Sequence, residues 1–298
     1  MSFLYHNLQK SFLWASHEPS RPTLQRSELD RLADRARFVR TETIRLIGIA
    51  KSGHYSSVFS AAEIIATLYY HTMNISSDPN WGDRDRFILS KGHVAVGVYP
   101  ILADLGYFAK DWLDSYAHVG SPLGDHPDMR KVPGIDFSSG SLGHGLSVGV
   151  GMTLGLRLKK STARVFVLMG DAEMNEGQIW EAAQAASHYG LDSLIGIIDR
   201  NGMGLDGTTE EVMNIEPLPD KWRSFGWQVH ECNGNSLTEL VRTFDNLPKK
   251  SGRPQLVIAH TVKGKGLEWM EKSRVWHLGY LHGVDAAEAV KEIMNSDQ

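Results

Sequence analysis

The stretch VFVLMGDAEMNEGQIWEAAQAASHYGLDSLIGIIDRN, Val165 to Asn201, decides the fold. Val165 to Met169 is an unbroken β-favouring run. Gln178 to Tyr189 then carries Ile179, Ala182, Ala183 and Ala186 at helical spacing, Gly190 supplies a stop, and Leu194 to Ile198 is a second continuous apolar run. Strands without alternation belong to a sheet covered on both faces, so the stretch reads as a βαβ unit. A right-handed crossover puts both carboxyl ends on the sheet edge where open α/β sheets bind ligands. Asp171 leaves the first strand behind Gly170, and Asn201 leaves the second ahead of Gly202. Both are expected to face one crevice. A carboxylate, an amide oxygen and the backbone carbonyl of Met203 are hard donors that suit Mg²⁺ bridging a diphosphate. Such residues also serve as plain turn formers at strand ends; their pairing across one βαβ unit favours the ligand reading.

Composition narrows the classes. The chain has 298 residues, of which 42% are hydrophobic, enough for a substantial core. Thirty-one Lys and Arg stand against 35 Asp and Glu, a formal charge of −4, so no basic excess exists to gather a nucleic-acid backbone. Cys232 is the only cysteine, which excludes an internal disulfide and a thiolate cluster, fits a reducing compartment, and reads as core filler. Tyr5, His6, Gln9, Lys10 and Glu18 interrupt the first twenty residues, and no later run approaches the ~20 apolar residues of a membrane span. The expectation is a cytoplasmic protein with neither nucleic acid nor membrane as partner.

Outward from the central unit, residues 1–26 show no period and read as an extension; 27–298 read as one domain. Ser27 is placed to cap a long helix reaching about Lys51, with Gly53 as its stop, and Ser60 to Glu63 has the spacing of a capping box opening the next helix. His54 falls in the tight loop between them, where it serves either the loop or a crevice. Arg84 to Ser90 leads through a short strand into Lys91, Gly92 and His93 at the start of a helix stopped by Gly106. Backbone N–H groups there favour anions; His93 alternatively caps its own helix. Gly140 to Gly145 is a glycine-rich turn before another helix, able to admit a phosphate or ring close to the backbone. Gly202 to Glu211 is a polar loop able to close over a metal. Trp227 to Glu231 and Gln255 to His260 read as further strands, with a helix between them opened by Ser236 and Glu239. Lys263 and Lys265 follow the last strand, either to neutralise phosphate or as a solvated turn.

Gly170 and Asp171, the helix after them, and Asp199 to Gly202 resemble the thiamine diphosphate motif, and the chain from about Leu32 onward is similar to the amino-terminal half of transketolases. Ala172 stands where that family usually has glycine, Arg200 where it often has asparagine or aspartate, and Tyr55 where a smaller residue or proline is common. The resemblance implies a thiamine-diphosphate-binding α/β fold: a mostly parallel sheet flanked by helices. It implies that His54 and His277 act on substrate, with His126 facing sugar hydroxyls. His93, Gly140, Ser141, Leu142, Gly170, Ala172, Asn201 and His277 would line the cofactor. The metal, Mg²⁺ or another divalent ion such as Ca²⁺ or Mn²⁺, would sit on Asp171, Asn201 and the Met203 carbonyl. His282 competes with His277 for the last place. Glu176 would lie where two active sites communicate, or act as a helix-start acid.

In this family the glutamate that protonates the aminopyrimidine lies in a second α/β domain. The chain ends at Gln298, so the resemblance implies the diphosphate-binding subunit of a split transketolase. It would work with a separate pyrimidine-binding subunit, in a heterotetramer, on sugar phosphates. The alternatives are a subunit of a thiamine-dependent 2-oxoacid decarboxylating acyl transferase, which the histidine set opposes, and a non-catalytic regulatory subunit, which retained Asp171 and Asn201 oppose. A nicotinamide site lacks its glycine fingerprint.

Overall fold

The computed structural model describes residues 26–296. The expected extension at 1–26 falls, but for Arg26, outside them. In chain order the elements are α1 (Arg26–Ala50), α2 (Tyr55–Thr67), β1 (Arg86–Leu89), α3 (Ala95–Asp104), α4 (His144–Leu158), β2 (Val165–Gly170), α5 (Gly177–His188), β3 (Leu194–Arg200), α6 (Thr209–Val212), α7 (Leu218–Ser224), β4 (Gln228–Asn233), α8 (Leu237–Asp245), β5 (Gln255–His260) and α9 (Gly283–Asn295).

The strands form one sheet in the order β1-β2-β3-β5-β4. Every neighbouring pair is parallel. The expected βαβ unit is β2-α5-β3, with Val165 opposite Leu194 and Gly170 opposite Asp199. Because successive side chains alternate, each strand feeds two cores. Phe166, Leu168, Ile195, Ile197 and Val257 join α1, α2, α3 and α9 on one face. Val167, Met169, Leu194, Ile198 and Ile258 join α4, α5 and α7 on the other. That double burial explains the unbroken apolar runs. Among the described residues no helix is long and apolar enough to cross a membrane.

Three local expectations are corrected. Ser27 lies inside α1 and does not cap it. Gly53 does not stop that helix. Lys51, at φ 57°, makes the left-handed turn with its N–H on the Ile47 carbonyl, and Gly53 instead pairs with Gly279, tying the loop of His54 to the segment of His277. Ser60 to Glu63 is no capping box. α2 begins at Tyr55, so both side chains are interior and buried. Ser60 donates to Asp199, and Glu63 pairs with Arg40 at 2.7 Å. At α8, Ser236 does accept the Glu239 N–H, while the Glu239 carboxylate takes the Asn233 N–H.

Candidate active site

The site lies along the carboxyl ends of β1, β2, β3 and β5. Past β1 the chain gives Lys91 and His93; past β2, Asp171; at the end of β3, Asp199 and Asn201; past β5, Thr261 and Lys263. Three imidazoles from distant segments meet there. His54, at the start of α2, has its ring centre 5.0 Å from His93 and 5.5 Å from His277; His93 and His277 are 5.9 Å apart. His282 is elsewhere, its Nδ1 within 2.9 Å of the Tyr280 hydroxyl. Geometry therefore selects His277 over His282 as the histidine that joins the cluster. Tyr55 turns away from the cluster. It is buried against Trp276, and its hydroxyl accepts the Leu281 N–H.

Electrostatics hold two of the three imidazoles, His93 and His277, in the neutral form. Burial and then the Lys263 ammonium push the His277 imidazole down to about 3. Burial, with Lys91 next, holds His93 well below the ordinary value. Lys263 Nζ lies 2.9 Å from His277 Nδ1, and an ammonium can only donate, so Nδ1 accepts and the ring proton sits on Nε2. His54 Nδ1 is buried without a hydrogen-bond partner among the described residues; Asp125, 3.7 Å away, is too far for one. The same carboxylate lies 3.4 Å from His126 Nδ1, so Asp125 links the half-exposed His126 to the cluster.

The lysine after β5 is not in a solvated turn. Lys263 is only 2% exposed and donates to the Met203 and Gly204 carbonyls and to His277. Among the described residues no carboxylate lies within 4.0 Å of it. Burial and then Lys91 bring its ammonium down to about 8. A buried cation whose only partners are neutral is stabilised by an incoming anion. Arg200 is the opposite case, paired with Asp171, Glu210 and Glu216 at 3.1, 2.6 and 3.0 Å.

Asp171 and Asn201 lie together at the carboxyl edge. Asp171 Oδ2 accepts the Gly202 N–H at 2.6 Å, and Oδ1 accepts the Ala172 N–H at 2.8 Å. Asn201 Oδ1 accepts the Met203 N–H, while its amide nitrogen donates to Asp199 at 3.1 Å. Burial and the neighbouring Asp199 charge raise the Asp171 carboxyl, so a cation on it would relieve an unfavourable charge. One carboxylate, one amide oxygen and a carbonyl are hard donors that fit Mg²⁺. The Met203 carbonyl already receives Lys263, so a metal would take its second lone pair.

The glycine turn reaches the same edge. Gly140, Ser141 and Leu142 are exposed, and a Cβ on Gly92 would strike Ser139, so the turn packs on the His93 segment. Gly140 lies beside the His126 ring. Gly143, at φ 85°, has room for no side chain, because a Cβ there would meet Glu176 at 2.7 Å. Glu176 itself is exposed at the start of α5.

Sequence reasoning missed two hubs. Asp199 is fully buried and its carboxylate accepts from Ser60 at 2.6 Å, Lys91 at 2.5 Å, Asn201 and Thr261. Burial works to raise this carboxyl, but Lys91 and those hydrogen bonds outweigh it and hold it below its usual range. Glu173 is buried, has no cation within 4.0 Å among the described residues, and accepts from Ser90, the Gly143 N–H at 2.8 Å and the Gly170 N–H at 3.0 Å. It joins β1, the glycine turn and β2. An acid directly after an apolar run was the available signal for Asp199; none marked Glu173.

Residues 30–296 match the family model described as transketolase, thiamine diphosphate binding domain. The chain is 42% identical over 254 residues to one of the subunits of apulose-4-phosphate transketolase from Phocaeicola vulgatus, covering 85% of this chain and 89% of that one. It is 40% identical over 247 residues to the 6-deoxy-6-sulfo-D-fructose transketolase subunit SqwG of a Clostridium species, covering 83% and 90%. Among solved structures, transketolase from Leishmania mexicana superposes with a TM-score of 0.82 at 27% identity. That match covers 88% of this chain and 41% of the other, so the chain spans about two-fifths of the full-length enzyme.

Proposed function

We propose that this chain, which belongs to the transketolase family through its thiamine diphosphate binding domain, is the diphosphate-binding subunit of a two-component transketolase. It moves a two-carbon ketol unit from a ketose phosphate to an aldose phosphate, with a separate subunit supplying the pyrimidine-binding domain. The pair forms a cytoplasmic heterotetramer, and 27–298 is the cofactor domain. The relatives named as subunits of apulose-4-phosphate and 6-deoxy-6-sulfo-D-fructose transketolases, matched over about nine-tenths of their length, support this reading.

The observation that carries it is the buried Lys263 ammonium, with no carboxylate on it among the described residues, beside Asp171, Asn201 and the imidazoles of His54, His93 and His277. A diphosphate is the anion this arrangement suits. Asp171, Asn201 and the Met203 carbonyl would hold Mg²⁺. Gly140, Ser141, Leu142, Gly170, Ala172, His93 and Lys263 would hold the cofactor's diphosphate end. The bound cofactor supplies the carbanion chemistry. The chain's own work is positioning and proton handling. His277, fixed by Lys263 as the Nε2–H tautomer, donates to oxygen as charge builds there, and His54 stands 5.5 Å from it across the cluster. His126, at the open rim beside Gly140, meets the sugar hydroxyls. Glu176 lies at the face where subunits meet.

The test is calorimetric titration of thiamine diphosphate with Mg²⁺ into this chain, alone and with the partner subunit. Binding that requires metal and partner and disappears in Asp171→Ala is expected. Absence of binding in both preparations would overturn the reading.

A further inference from the structure

The opposite edge of the sheet carries a second cavity, of about 700 Å³, which the proposed activity does not use. It opens where the strands begin. Asp85 precedes β1, Arg164 precedes β2, Ser193 precedes β3 and Gln255 starts β5. Asp171 lies at the far end of the six-residue β2, roughly 20 Å away.

The charge on this edge is uneven. Arg164 pairs with Asp85, and Asp245 is held by His71. Arg157 donates to the Tyr189 and Gly190 carbonyls, and among the described residues no carboxylate lies within 4.0 Å of it. Lys160, Lys249 and Lys250 line the cavity, and among the described residues no carboxylate lies within 4.0 Å of any of them. The remaining acid, Asp192, accepts the Gly252 N–H. A chain with formal charge −4 thus gathers around one cavity four cations that have no carboxylate partner among the described residues. Among the described residues the buried Thr72 hydroxyl at the wall has no hydrogen-bond partner, and Ile195, Phe244 and Leu247 give an apolar floor. Buried polar atoms without partners are rare. The volume falls within the range of about 300–1,000 Å³ seen for small-molecule sites.

We propose that this cavity binds an organic phosphate, its phosphoryl group held by Lys160, Lys249 and Lys250 and its body lying on the apolar floor. The site is independent of the cofactor reading, because none of its residues belongs to the carboxyl edge. Nucleotides and sugar phosphates share the recognised chemistry.

The experiment is calorimetry on the full chain with chelator present, titrating pyrophosphate, ATP and ribose 5-phosphate. Lys263→Met removes the cation at the carboxyl edge, and Lys160→Gln/Lys249→Gln/Lys250→Gln removes those at the amino edge. All three lysines are exposed, and an unchanged melting temperature checks the fold. The expected result is pyrophosphate binding equal in the unmodified chain and Lys263→Met, at least tenfold weaker in the triple variant, and weaker at higher salt. Tighter binding of ATP than of ribose 5-phosphate assigns the cavity to a nucleotide, and the reverse assigns it to a sugar phosphate. No binding by the unmodified chain, binding that survives the triple change, or binding lost in Lys263→Met overturns the proposal.

Discussion

Replacing Asp199 with asparagine tests whether the crevice is organised around one buried ion pair. Asp199 is fully buried, Lys91 is 3% exposed, and the two are 2.5 Å apart. An asparagine can turn its amide nitrogen toward the Thr261 hydroxyl, which can accept, and keep its oxygen for Ser60, Lys91 and Asn201. Hydrogen bonding then survives in outline, and the principal loss is the negative charge. Breaking a buried pair by removing one partner costs about 3–5 kcal/mol, because the other charge remains uncompensated. At about 2 °C per kcal/mol, the lower end for larger domains, the melting temperature should fall by roughly 6–10 °C. Adding Lys91→Met removes the stranded ammonium, so the double variant should be more stable than Asp199→Asn alone, and a double-mutant cycle on thermal or urea unfolding measures the coupling. Asp199→Asn costing less than about 1 kcal/mol, or a double variant destabilised by the sum of the single effects, would refute the reasoning.

Three more outcomes follow from the geometry. Glu173→Gln must turn an amide N–H₂ toward one of the three donors that the carboxylate accepts, so a buried N–H loses its partner at a cost of about 1–3 kcal/mol; amide exchange at Gly143 or Gly170 should quicken, and unchanged protection at both would contradict the assignment. His277 keeps its neutral form down to about 3 in the folded chain, against about 6.5 for an unperturbed imidazole. Its contribution is therefore complete above pH 6.5 and is lost as pH falls toward 3, so the melting temperature should drop more between pH 7 and pH 5 in the unmodified chain than in His277→Asn. Equal drops would show that the ring does not titrate with unfolding. Burial pushes the Cys232 thiol up to about 11, so a disulfide reagent at pH 8 should react slowly with the native chain and rapidly in urea; fast native reaction is the contrary result.

The strands were legible because continuous apolar runs have one physical cause here, burial on both faces. Val165 to Met169 and Leu194 to Ile198 fall within observed strands, and β5 matches Gln255 to His260 in full. The same pattern placed Asp171 and Asn201 at the carboxyl edge. Local polar patterns served less well. Ser60 and Glu63 have capping-box spacing, yet that spacing also occurs inside a helix. These two side chains bond to Asp199, 139 residues away, and to Arg40. Thr261 to Gly266, short, polar and glycine-rich, leaves a solvated turn and a phosphate-neutralising loop both open. Nothing within it reveals that the loop after β3 brings the Met203 and Gly204 carbonyls over Lys263.

Asp199 escapes sequence reasoning for a related reason, and its case shows where the signal lay. A charged residue directly after Leu194 to Ile198 reads as the end of the strand. The ladder continues: Asp199 pairs with Gly170 on one side and Ala259 on the other, and Arg200 still pairs with His260. A residue held in register between two neighbours in a sheet covered on both faces has no route to water, so a carboxylate there must find its donors within the fold. Those donors come from α2, from the loop after β1 and from the residue after β5, at sequence separations of 139, 108 and 62. The acid that looks like a strand terminator is thus the point that draws four segments together. Asn201, two residues on, takes its orientation from it.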